Sequence, residues 1–169
     1  MLIKCLLELN EFDRAERELK SVASAYPGDT NVKLAYLSFA KKAGKGQVIQ
    51  WKIYEEIIGE MVKKADLKGL ERQIKGLEEL FTSNPPLFEE AGPSLPKLCL
   101  AAEPLVGGDL VGRLLEKCHF HKTISEVEFA AFAARHRHLR LISDDEFFRI
   151  EAITFRAMEN SSCKLSSRR

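Results

Sequence analysis

The sequence predicts an all-α protein, and three observations carry that reading. Apolar residues recur three and four apart along nearly the whole chain, the spacing that lines one face of a helix. Pro and Gly gather at a few breaks instead of interrupting those stripes. No segment shows the strict apolar–polar alternation of a half-buried strand.

Taken in order, Leu2, Leu6 and Leu9 give the first stripe, and the chain turns at Asn10 and Glu11. Phe12, Ala15, Leu19, Val22 and Ala23 form the second, which Tyr26, Pro27, Gly28 and Asp29 terminate, because Pro cannot continue a helix and Gly tolerates a left-handed cap. Asp29 or Thr30 caps a third helix that runs to Gly44, Lys45 and Gly46. Trp51, Tyr54, Ile57, Ile58, Met61 and Val62 share one face of a fourth, over 47–64. A fifth, from Asp66 to about Thr82, carries Leu67, Leu70, Ile74, Leu77 and Phe81 inward.

The second half is less regular. Asn84, Pro85 and Pro86 make one sharp break, and Gly92, Pro93 and Pro96 another. Short helices are expected over 96–102 and 109–118, separated by Gly107 and Gly108. Thr123 with Glu126, and Ser143 with Glu146, fit the capping box, in which a hydroxyl and a carboxylate satisfy each other's end amides. These boxes predict helices over 125–138 and 144–159, followed by a polar tail over 161–169.

Composition narrows the function classes. Of 169 residues, 45% are hydrophobic and 30% charged, enough to bury a core, and the formal charge of +1 lacks the basic bias of most nucleic-acid binders. Cys5, Cys99, Cys118 and Cys163 show no paired spacing and read as reduced thiols of a cytoplasmic or nuclear protein. No apolar run approaches the ~20 residues a membrane span needs, and Glu8 and Glu11 interrupt the only stretch near the start that could mimic a signal core.

The run from Leu9 to Leu19, closed by Pro27, resembles the second helix of a tetratricopeptide repeat, a unit of about 34 residues. Ala15, Leu19 and Pro27 stand at the positions of its small residue, its large residue and its terminating Pro. In the same register a second unit opens at Thr30, with Tyr36, Ala40 and Gly44 at packing and turn positions, and a third opens at Lys64, with Leu67, Leu70 and Ile74 facing inward. The chain departs from the pattern at Lys33, where a large aromatic belongs, at Ile49, where Ala belongs, and at Asn84, where the partner helix should be running. The first unit lacks its opening residues, which predicts an end piece or fragment of a longer array.

The resemblance implies an α-solenoid of antiparallel hairpins over 1–82, with an irregular helical extension over 87–160. It further implies a protein-binding scaffold whose inner helices line a groove. That groove would present Lys4 and Leu7, then Asn31, Leu34, Ser38 and Lys41, then Lys68, Arg72 and Lys75. A face with so many cations favours an acidic or amphipathic segment of another protein.

Other chemistries fit less well. Cys118, His119, His121, His136 and His138 could supply zinc ligands, but His136 and His138 lie two apart on an expected helix and diverge, so neither metal nor another cofactor is expected. Glu55 with Glu56, Glu78 with Glu79 and Asp144 with Asp145 are adjacent charges of a solvated face or a helix start, not an acid–base pair. Gly44, Lys45 and Gly46 lack the spacing of a phosphate loop. No enzyme and no small-molecule substrate are expected. The alternative is nucleic-acid association, with Arg135, Arg137 and Arg140 gripping phosphates and Lys164, Arg168 and Arg169 following in the tail.

Overall fold

The computed structural model describes residues 2–143 together with Asp145, Phe148 and Arg149. The helix expected over 144–159, apart from those three positions, and the tail over 161–169 lie outside the described residues. So do Cys163, Lys164, Arg168 and Arg169.

Among the described residues the regular structure is entirely helical. The first five helices are α1 (Leu2–Glu8), α2 (Phe12–Ala25), α3 (Thr30–Lys42), α4 (Gln47–Lys64) and α5 (Leu67–Ser83). Their boundaries follow local chemistry. Asn10 takes a left-handed conformation (φ 58°) to turn the chain between α1 and α2. The Asp29 carboxylate accepts from the Asn31 amide at 2.7 Å to cap α3. The Asp66 carboxylate accepts from the Gly69 amide at 3.1 Å to cap α5, and a Cβ at Gly69 would crowd that same carboxylate.

The helices that follow are α6 (Leu87–Ala91), α7 (Ser94–Val106), α8 (Gly108–Phe120) and α9 (Glu126–Arg135), then a 3-10 turn over Arg137–Leu139. Helix α7 is longer than the expected 96–102. Pro96 falls in its first turn, where a missing N–H is harmless, and Pro104 sits near its end. The capping box at α9 is real but shifted by two residues from Thr123 and Glu126. The Ser125 hydroxyl accepts from the Glu128 amide at 3.2 Å, and the Glu128 carboxylate accepts from the Ser125 amide at 3.3 Å. Thr123 instead donates its hydroxyl to the Cys118 carbonyl at 3.1 Å, closing the turn after α8.

From α1 to α5 each helix packs on the next, and α1 also touches α3. The chain then folds back: α7 packs on α4, α5 and α8, while α8 packs on α5 and α9. Two apolar clusters result. A small one joins Leu6, Leu7, Ala15, Leu19 and Phe39. Ala15 and Leu19 have no exposed surface, as the small-then-large spacing predicts. The main cluster runs from Leu37, Trp51 and Tyr54 through Leu77 and Phe81 to Leu95, Cys99, Leu115 and Phe132. It spans both sides of the break at 84–86, so the division drawn from sequence between 1–82 and 87–160 corresponds to no gap in the core.

Candidate functional site

The expected groove residues do not behave alike. Leu7 is a correction: it lies 5% exposed inside the smaller cluster and faces no groove. Leu34 packs partly against the main core. Lys4 and Asn31 are exposed. Ser38 is exposed, but its hydroxyl donates back to the Leu34 carbonyl at 3.0 Å. The Lys41 ammonium donates to the buried Tyr54 hydroxyl at 2.7 Å and stands 5.1 Å from the centre of that ring, so it is committed to α4.

Lys68, Arg72 and Lys75 are different. Spaced four and three apart on α5, they fall in one stripe, all three are exposed, and none is ion-paired among the described residues. Leu67, expected to face inward, is a correction: it is 48% exposed at the first position of α5. Lys75 borders a hollow of about 530 Å³ between α5 and α8, which it shares with Glu79, Thr82, Asp109 and Arg113. Across α5, Glu79 and Ser83 also border a shallower hollow of about 300 Å³ that reaches Lys41 and Gln50. The stripe thus ends at a carboxylate.

Part of the basic segment at the end of α9 is engaged in the fold. The Glu103 carboxylate, 9% exposed near the end of α7, accepts from Arg135 Nε at 3.1 Å and from a second Arg135 nitrogen at 2.6 Å. His136 Nε2 lies 2.7 Å from the same group. Burial raises the Glu103 pKa, but hydrogen bonds from Arg135 and His136, with their charges, outweigh it and hold the carboxyl below the usual range. His138 Nε2 lies 3.2 Å from Asp109. Gly108 makes room for this arrangement, since a Cβ there would run into the His136 ring. Arg137 and Arg140 are exposed, and Arg140 is left-handed (φ 50°).

The cysteine–histidine cluster also has structural work. The His119 ring stacks on Phe129 at 4.3 Å, and the His121 ring on Phe88 at 4.4 Å. Burial pushes the Cys118 thiol up to about 11 and raises the buried Cys99 thiol as well, so neither is a thiolate at neutral pH. Among the described residues no three His, Cys, Asp or Glu side chains come together as a metal site. Nor is any helix there long and apolar enough to cross a membrane.

Sequence reasoning missed one hollow of comparable size. A cleft of about 570 Å³ is lined by Ala23 of α2, Tyr26, Val32 and Tyr36 of α3, and Ile53 of α4. Lys33 and Glu56 pair at its rim at 2.8 Å, and Lys20 pairs with Glu16 at 3.0 Å. Val32 and Tyr36, four apart on α3, were the available signal.

No family model, curated protein or solved structure matches this chain. The geometry of these surfaces therefore carries the functional argument alone.

Proposed function

We propose that this chain is a protein-binding scaffold of helical hairpins, similar to a tetratricopeptide array, that holds an acidic or amphipathic segment of another protein along α5. The observation behind this is the stripe of Lys68, Arg72 and Lys75, exposed and without a carboxylate partner among the described residues. Unpaired cations on a rigid helix attract a carboxylate-bearing segment over long range and fix its register on contact. The successive packing of α1 to α5, with Ala15 wholly buried where two helices meet, supports the hairpin reading. The scaffold works in the cytosol or nucleus, where thiols such as Cys5, Cys99 and Cys118 stay reduced.

The alternative reading, phosphate binding through Arg135, Arg137 and Arg140, requires Arg135 to surrender both bonds to Glu103. The α5 stripe has no such obligation, and we favour it.

The test is fluorescence anisotropy of a labelled acidic amphipathic peptide, titrated with the whole chain and with its Lys68→Glu, Arg72→Glu, Lys75→Glu triple variant. Charge reversal should weaken binding by about tenfold or more, and added salt should weaken the wild type. Equal binding by both proteins removes α5 as the site.

A further inference from the structure

The order of charges along α5 narrows the kind of segment that the scaffold holds, an inference that rests on the α5 reading. Lys68, Arg72, Lys75 and Glu79 stand four, three and four apart and fall in one exposed stripe. Three cations are thus followed by a carboxylate. At the rise of an α-helix the four positions are about 6, 4.5 and 6 Å apart along the axis.

Glu79 has no ion-pair partner among the described residues. Cations border the hollows on either side of it, but they are engaged elsewhere. Arg113 pairs with Glu78 at 3.5 Å, and Lys117 donates to the Thr82 hydroxyl at 2.6 Å. On the other side Lys41 donates to the Tyr54 hydroxyl at 2.7 Å. Lys75 precedes Glu79 by four residues, the weaker order for a pair on one helix.

The order also runs against the dipole of α5. Its first turn holds Lys68 and no acid, its last turn holds no base, and Glu78 and Glu79 lie towards its C-terminus. Anions stabilise a helix near its N-terminus and cations near its C-terminus, the reverse of this arrangement. The Asp66 carboxylate that caps the first turn offsets part of it. The charge order therefore does not serve the stability of α5 itself, whereas a docked segment of opposite order relieves both ends at once.

We propose that the segment held on α5 is a helix of a partner protein that presents three carboxylates to Lys68, Arg72 and Lys75 and, at the end of that row, one Lys or Arg to Glu79. A second helix shares the rise of α5, so its own four–three–four spacing meets all four groups in register. Same-face side chains of an extended strand step by about 6.7 Å and overrun the row. The spacing reads the same in both directions, so the cation alone decides which way the segment lies: parallel to α5 when it comes last, antiparallel when it comes first. An inner cation fits neither direction, because it meets a Lys or Arg and leaves a carboxylate against Glu79.

The test is fluorescence anisotropy of labelled, hydrocarbon-stapled helical peptides titrated with the whole chain at low salt. Two peptides of one composition carry three Glu and one Lys on a single face at this spacing, with Lys at the end of the row in one and inside it in the other. A third carries four Glu. Glu79→Lys and the α5 triple charge reversal are measured beside the wild type; Glu79 is exposed, so its substitution leaves the core intact. Wild type should bind the end-Lys peptide about threefold or more tighter than the inner-Lys peptide, and Glu79→Lys should transfer the preference to the four-Glu peptide. A preference for the end-Lys peptide that survives Glu79→Lys overturns the inference. If the triple reversal weakens both three-Glu peptides while wild type binds them equally, the charge order fails and the α5 site stands. If the triple reversal weakens neither, or no peptide binds, the α5 reading fails and this inference with it.

Discussion

Replacing Glu103 with Gln preserves the side chain's shape and removes its charge, which isolates the clamp that fixes the end of α9. Two Arg135 nitrogens and His136 Nε2 converge on this carboxylate at 3.1, 2.6 and 2.7 Å. Hydrogen bonds to a charged group contribute about 1.5–3 kcal/mol each. The Arg135 side chain is 53% exposed, so solvent screens its share, and Gln keeps one acceptor. A net loss of about 1–2 kcal/mol follows, which for a chain of this size lowers the melting temperature by about 3–6 °C. The pH dependence gives a stricter check. The folded Glu103 pKa is depressed, so its stabilisation is fully present above the unfolded value of about 4.3 and is lost as pH falls through the lower folded value. Urea unfolding followed by circular dichroism at pH 7, 5 and 3 should therefore show wild type ahead of Glu103→Gln at the two higher values, with the gap closing at the lowest. A gap that persists unchanged at pH 3, or none at pH 7, would refute the assignment of the clamp to the ionised carboxylate.

Three further outcomes are expected. Gly76→Ala places a methyl against the hydroxyl of buried Tyr54, the group that Lys41 contacts, and should cost about 1–3 kcal/mol in chemical denaturation. Gly59→Ala, with open space around it inside α4, should stabilise by about 0.5–1 kcal/mol in the same assay. In a Cys163→Ser background, a thiol reagent should modify exposed Cys5 within the mixing phase, whereas buried Cys99 and Cys118 should react only on unfolding; rapid modification of all three would contradict the packing of α7 on α8.

What the sequence disclosed was the chemistry that acts within a few residues. The breaks at Pro27, Gly44 and Asp66 and the stripes between them place the first five helices almost to the residue, because caps and periodicity are local. Ala15 and Leu19 were legible for the same reason. Two errors were also local: Ser125 competes with Thr123 for the start of α9 two positions away, and Leu67, at the first position of α5, is left exposed at the helix end. Other features have causes distant in sequence. Helix α9 stops at Arg135 instead of reaching 138 as its neighbours His136 and Arg135 turn to Glu103, more than thirty positions earlier. The Lys41 ammonium is engaged by Tyr54, whose hydroxyl is presented from the next helix. The α2–α4 cleft is less legible still. Val32, Tyr36 and Ile53 look like ordinary core positions in their own helices, and the hollow is lined by residues of three successive helices. A stripe of unpaired cations can be read from the spacing of three residues on one helix, whereas a cleft is a property of the distance between helices.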